Sequence, residues 1–151
     1  MQVYQRLADL KPLVGQELAI SDWFPVTQEK IDQFAQATGD QQWLHVDPQR
    51  AAKGPFGVTV AHGFLTLSML PMFLGSSIDI RDVKMSVNYG LNRVRFPEPV
   101  PVGSELRARF LLLSYDELSE GGAQIILKVT VERRGSARPV CVAEAISQRH
   151  V

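Results

Sequence analysis

Phe64-Leu65-Thr66-Leu67-Ser68-Met69-Leu70-Pro71-Met72-Phe73-Leu74, closed by Gly75, is apolar nearly all round. A helix without a polar face is expected to be buried on all sides. In a chain of 151 residues, one such helix implies a sheet wrapped around it. Pro71 lies within the run, where it removes a backbone hydrogen bond and should bend the axis.

The residues downstream supply that sheet. Val83, Met85 and Val87 alternate with Lys84, Ser86 and Asn88, and Leu106, Ala108, Phe110 and Leu112 alternate with Arg107, Arg109, Leu111 and Leu113. Ile125, Leu127, Val129 and Val131 repeat the pattern, as do Val140, Val142 and Ile146 against Cys141, Ala143 and Ala145. Period-two runs are strands. The short turn signals at Ser119–Gly122 and Arg134-Gly135-Ser136 favour an antiparallel meander. The Pro-rich run Arg95–Gly103 suits only an edge or a loop. Helices come early and strands late, so the expected class is α+β, with residues 1–151 as one domain.

Upstream, Glu17–Pro25 reads as extended, and a helix is expected from Thr27 as N-cap. Val26 and Ile31 form a hydrophobic staple, and Ile31, Phe34, Ala35 and Thr38 mark its inner face. Gly39 stops it by adopting a conformation other residues resist. Asp47-Pro48 starts a second helix, expected from Pro48 to Lys53. Between these stops lies an expected irregular segment, Asp40-Gln41-Gln42-Trp43-Leu44-His45-Val46, with one carboxylate and one imidazole. Such a pair on a bounded loop can share a water, either group taking or returning its proton. Alternatively, Asp40 caps a helix and His45 fills the core.

Further along, Lys53–Gly63 is a loop of glycines and small residues leading into the apolar helix. Gly63 stands at the helix start, where backbone N–H groups lack intrahelical partners and favour negative charge. It either lets a ligand carbonyl approach or relieves crowding against the sheet. His62 is a ligand contact or a hydrogen-bonded structural histidine. Trp43 and Phe64 line an acyl channel or pack in the core. Arg93 and Arg95 reach phosphates or form a solvated edge. His45, Asp47 and His62 match no metal-ligand spacing, so no metal and no cofactor is expected.

Composition narrows the partners. Lys and Arg number 16 against 16 Asp and Glu, so no basic excess recommends nucleic acid or an anionic membrane. A single cysteine, Cys141, and an N-terminus without a basic-then-apolar leader predict a reducing, cytoplasmic setting. No stretch approaches the ~18 apolar residues of a membrane span.

Ala37-Thr38-Gly39-Asp40, His45-Val46-Asp47-Pro48 and Ala61-His62-Gly63-Phe64 together resemble the hydratase motif of MaoC-like dehydratases, the (R)-specific enoyl-CoA hydratases of the hot-dog fold. Arg95-Phe96, Pro99-Val100 and Gly103 resemble the run leading into a strand in that family, and the likeness extends from about Ser21 to Ile146. Gln42-Trp43 between Asp40 and His45 places the chain nearest the nodulation protein N-like branch; many members have Asn-Pro there. The resemblance implies an antiparallel sheet wrapped around one long central helix. It implies Asp40 and His45 as the catalytic pair that activates water, and Gly63 as the donor to a thioester carbonyl. His62, Gln42, Trp43 and Phe64 are the other expected substrate contacts. The implied reaction is reversible addition of water to a trans-2-enoyl-CoA, with an acyl-CoA or acyl-carrier-protein thioester as substrate and a homodimer as the assembly. Pro71 replaces a Ser found in some members. A hot-dog thioester hydrolase would use the same helix start, and a non-catalytic acyl-binding protein would keep the pocket alone. Asp40, His45 and Gly63 together favour hydration.

Overall fold

A computed structural model describes all residues, 1–151. The chain opens with β1 (Gln2–Tyr4) and a 3-10 helix over Leu7–Leu13, which plants Leu7 and Leu10 in the core. β2 (Glu17–Ile20) and β3 (Phe24–Pro25) follow, both within the segment expected to be extended. Helix α1 spans Gln28–Thr38. Thr27 Oγ1 accepts the N–H of Lys30 at 3.2 Å, and Val26 and Ile31 are fully buried, as a staple requires. Gly39 ends the helix at φ 82°, donating its N–H to the Ala35 carbonyl at 2.9 Å.

Of the segment expected to be irregular, Asp40, Gln41 and Gln42 are so, whereas the rest forms a single helical turn, α2 (Trp43–Val46). α3 (Pro48–Ala51) begins where Asp47 caps the Arg50 N–H at 3.0 Å; it stops two residues short of the expected Lys53. The apolar run forms α4 (Gly63–Ser68) and α5 (Leu70–Ser77), joined through Met69, whose backbone stays helical at φ -80° and ψ -10°; together they are the one central helix expected, with its bend. Pro71 has no N–H to give the Leu67 carbonyl, so the ladder lacks that bond. This helix is not buried on all sides. Leu65, Met69, Leu70 and Phe73 face the core, whereas Phe64, Ser68, Pro71, Met72 and Gly75 are exposed.

β4 (Ile78–Ile80) pairs in parallel with β1. The main sheet is antiparallel and uses β5 (Met85–Arg95), β6 (Glu105–Glu117), β7 (Ala123–Arg133) and β8 (Cys141–His150). Its order is β2-β6-β7-β8-β5, with β3 also on β6. β6, β7 and β8 form the expected meander. β5 lies beside β8, so the Pro-rich loop carries the chain from that edge past β8 and β7 to β6, next to the opposite edge. Leu106, Ala108, Phe110 and Leu112 of β6 and Ile125, Leu127, Val129 and Val131 of β7 close over the helix and are all buried. The class is α+β, with a curved antiparallel sheet around a central helix. No helix is long and apolar enough to cross a membrane.

Candidate active site

The site is assembled from three backbone stops. Gly39 turns the chain out of α1, so Asp40 projects from an exposed loop. The turn of α2 then carries His45 inward. The loop after α3 returns to place His62 directly before α4. Asp40, His45 and His62 offer ligand-type atoms that all lie within 4.8 Å of one another.

Backbone carbonyls fix both imidazoles. His45 Nδ1 lies 2.6 Å from the Val60 carbonyl, which can only accept. Nδ1 therefore carries the proton, and Nε2 keeps a free lone pair. Burial pulls the His45 pKa below its ordinary 6.5, against the opposing hydrogen bond to Val60; the charge of His62 lowers it further and that of Asp40 raises it. At neutral pH His45 is a neutral acceptor. His62 Nε2 donates to the Asp40 backbone carbonyl at 2.9 Å, and its ring stacks on His45 with centroids 3.8 Å apart and planes 23° apart. Phe34 of α1 also packs against His62, with ring centroids 4.9 Å apart and planes tilted by 57°. His62 thus ties the Asp40 loop to the start of α4, leaving its own Nδ1 buried without a partner.

Two nearly parallel rings 3.8 Å apart hold their lone pairs in separate planes. They cannot both aim at a metal about 2.0–2.1 Å from each nitrogen. Asp47, considered with His45 and His62 as a ligand, belongs to the α3 cap instead.

Gln28 was not singled out in the sequence. Its Nε2 donates to the His45 carbonyl at 2.8 Å, and its Oε1 accepts from Thr59 Oγ1 at 2.5 Å. It therefore braces α2 from α1. A lone Gln in the first turn of a helix carries no signal for such a role. Phe96 was noted only within a motif, yet its ring covers Gly63, where a Cβ would meet Phe96 Cδ2 at 3.0 Å. Phe64 is 67 % exposed and meets Phe96 edge-on at 6.1 Å. Thr66, one turn into α4, holds a buried hydroxyl without a partner. Gln42 is exposed and gives only its backbone N–H, at 3.4 Å from Asp40 Oδ1. Trp43 packs against Gly54 and under the Arg50 guanidinium, on the side of α2 that meets α3. Arg93 and Arg95 are exposed on β5 and pair with no carboxylate.

The arrangement offers an exposed carboxylate, a neutral imidazole with a free lone pair, and the first amides of a helix that begins at the residue after His62. Those groups suit proton transfer to and from a water beside a polarised carbonyl.

Comparison with known proteins gives the same picture. Residues 9–132 match the family described as MaoC like domain. A 3-hydroxyacyl-thioester dehydratase Z of Mycobacterium tuberculosis is 51 % identical over 146 residues, covering 97 % of each chain. Nodulation protein N of Rhizobium leguminosarum bv. viciae is 47 % identical, covering 93 % of this chain and 89 % of that protein. The (R)-hydratase from A. caviae involved in PHA biosynthesis superposes with a TM-score of 0.68 at 25 % identity, covering 89 % of this chain and 94 % of that one.

Proposed function

The chain belongs to the MaoC-like dehydratase family and is a hydro-lyase of the hot-dog fold, and on that premise we propose that it is an (R)-specific enoyl-CoA hydratase. The observation that carries the proposal is the convergence of Asp40 with a neutral His45 whose Nε2 is free. In this reading a water lies between the Asp40 carboxylate and His45 Nε2. Asp40 takes one water proton as the oxygen bonds the β carbon of a trans-2-enoyl thioester. His45 accepts the second water hydrogen and fixes the direction of attack. Charge builds on the thioester oxygen, where the Gly63 N–H stabilises it. Asp40 then returns its proton to the α carbon, so H and OH have been added across the double bond. Gln42 and Phe64 would border the thioester, and His62 would hold the Asp40 loop. The (R)-hydratase likeness and the dehydratase relative support the substrate class and the hand of the product.

The acting unit in this reading is the whole of residues 1–151, paired with a second copy of itself. β5 is an edge strand of 11 residues with both faces open, displaying Met85, Val87, Tyr89 and Leu91. Such an edge calls for cover. The single buried Cys141, its thiol pushed up to about 11 by burial, suits the cytoplasm.

The experiment is hydration of crotonyl-CoA followed at the enoyl absorbance, with free thiol assayed in parallel. Absorbance loss without thiol supports the hydratase; thiol release supports the hydrolase. Two further results are expected. Exhaustive chelation leaves the rate unchanged, because the stacked rings of His45 and His62 cannot both aim at one metal. Activity lost to chelator and restored by a divalent ion would contradict this. In a pH–rate profile, kcat/KM stays level as pH falls to about 6.5 and declines only below it. The active neutral His45 is present above its lowered pKa and lost as pH falls through it. An acid limb centred above 6.5 would contradict the assignment.

A further inference from the structure

The inward row of β8 is unusually small. Cys141, Ala143, Ala145 and Ser147 lie opposite Val131, Val129, Leu127 and Ile125 of β7. On its other side, Ser147 pairs with Asn88 and Arg149 with Ser86 of β5, ahead of a bulge at Gly90. The missing side-chain volume leaves a groove of about 660 Å³ between these strands and the central helix. Ser68, Pro71 and Gly75 line its helix side. With Phe64 they recur at i, i+4, i+7 and i+11, which is one face of a helix. The groove itself runs along the helix from Leu67 to Gly75 and so begins one turn beyond Gly63, with the exposed Phe64 on the same face between them.

Arg149 stands at the far end, where the row of small residues stops. Nη1 donates to Ser86 Oγ at 2.5 Å, while Nε is buried with no acceptor. No carboxylate lies within ion-pairing distance of it; Arg133 shares both features but lines a separate cleft of mostly polar residues, so of the two only Arg149 faces the groove. Asp79 lines an adjoining cavity with Arg149, but Arg81 already holds it at 3.0 Å. Burial pulls the Arg149 pKa below its usual value, so its charge is poorly solvated. Arginine nonetheless remains protonated in proteins, and a charged donor buried without an acceptor, as Nε is here, is costly. Stability alone would put an apolar residue here, beside Ile125 and Leu127.

We infer that the groove takes the acyl tail of the thioester and that Arg149 binds a carboxylate at the far end of that tail. The substrate class is then an ω-carboxyacyl thioester. The inference rests on the hydratase reading, which puts the thioester carbonyl at Gly63. A methyl-ended tail would fill the same apolar walls but leave the guanidinium unpaired, and a site built for a polar group discriminates strongly against a partner lacking it. The helix rises about 18 Å from Gly63 to Gly75 at ~1.5 Å per residue. An extended chain advances ~1.2 Å per bond; with about 3 Å taken up by the hydrogen bond at each end, the remaining ~12 Å is about ten bonds, a tail of about a dozen carbons counting both ends.

The test compares trans-2-dodecenedioyl-CoA with trans-2-dodecenoyl-CoA in hydration by the full chain. Binding of the unreactive saturated pair, dodecanedioyl-CoA and lauroyl-CoA, is measured alongside by calorimetry. The diacid is expected to lead by at least about tenfold in kcat/KM and in affinity, the size of a charge-assisted hydrogen bond. Arg149→Met abolishes that lead by weakening the diacid alone, and crotonyl-CoA hydration is unchanged. Arg149→Lys, which keeps the charge, retains part of the lead. Equal affinities in the wild type would overturn the inference, as would a lead that survives Arg149→Met. A wild type without preference whose dimer dissociates on Arg149→Met would assign the guanidinium to the subunit interface instead. Failure to hydrate crotonyl-CoA would count against the hydratase reading only, since the calorimetric comparison still decides what the groove holds.

Discussion

Asp40→Asn lowers turnover by at least about 10²-fold and leaves the protein folded. The structure makes this a clean substitution. Asp40 is exposed, and its Oδ1 accepts only the Gln42 N–H, a role an asparagine oxygen can keep. The bond from His62 goes to the Asp40 backbone carbonyl and is indifferent to the side chain. What disappears is the group that takes the water proton. Exposed substitutions of this kind usually change stability by less than about 0.5 kcal/mol. The measurement is steady-state hydration by the purified variant, with its melting temperature alongside. Near-wild-type turnover would remove Asp40 from the chemistry.

Gly63→Val is expected to cost about 10²–10³-fold in turnover, the usual loss when one oxyanion donor is removed. Gly63 does not have a positive φ, so valine meets no left-handed strain there. The obstacle is local: a Cβ would lie 3.0 Å from Phe96 Cδ2 and 3.1 Å from Cγ. Phe96 belongs to a loop and is 40 % exposed, so its ring can yield without disturbing the sheet. The displaced ring and the new methyl groups then occupy the space a thioester carbonyl needs. Rate and melting temperature must be read together, because overpacking can also destabilise. A folded, inactive variant supports the donor role. A folded, active one shows that the carbonyl is held elsewhere, and loss of the fold assigns Gly63 to packing.

Much of the architecture was legible because local chemistry and tertiary burial agree. Thr27, Gly39 and Asp47 cap helices in both the sequence and the structure, and the alternating residues of β6 and β7 face the core as their period requires. Where a residue's environment comes from a distant segment, the reading fell short. The exposed stripe on the central helix was invisible, because an apolar residue awaiting a ligand or a second subunit looks like one buried in a core. Pro71, by contrast, is legible as a bend because its missing N–H is a property of the residue itself, and the helix does bend, at Met69. The spacing of Asp40 and His45 suggested a shared water. The carbonyls of Val60 and Asp40, which fix both imidazole tautomers, have no side-chain signature at all. Arg149 lies one residue before the end of an ordinary-looking strand; only its register against Ser86 and its place on the groove make it conspicuous.

The most direct test of the central claim is the fate of crotonyl-CoA with the wild-type protein. Enoyl absorbance should decay to an equilibrium, with the thioester intact and the product entirely (R)-3-hydroxybutyryl-CoA. Release of free CoA thiol, or a product of the (S) hand, would contradict the account.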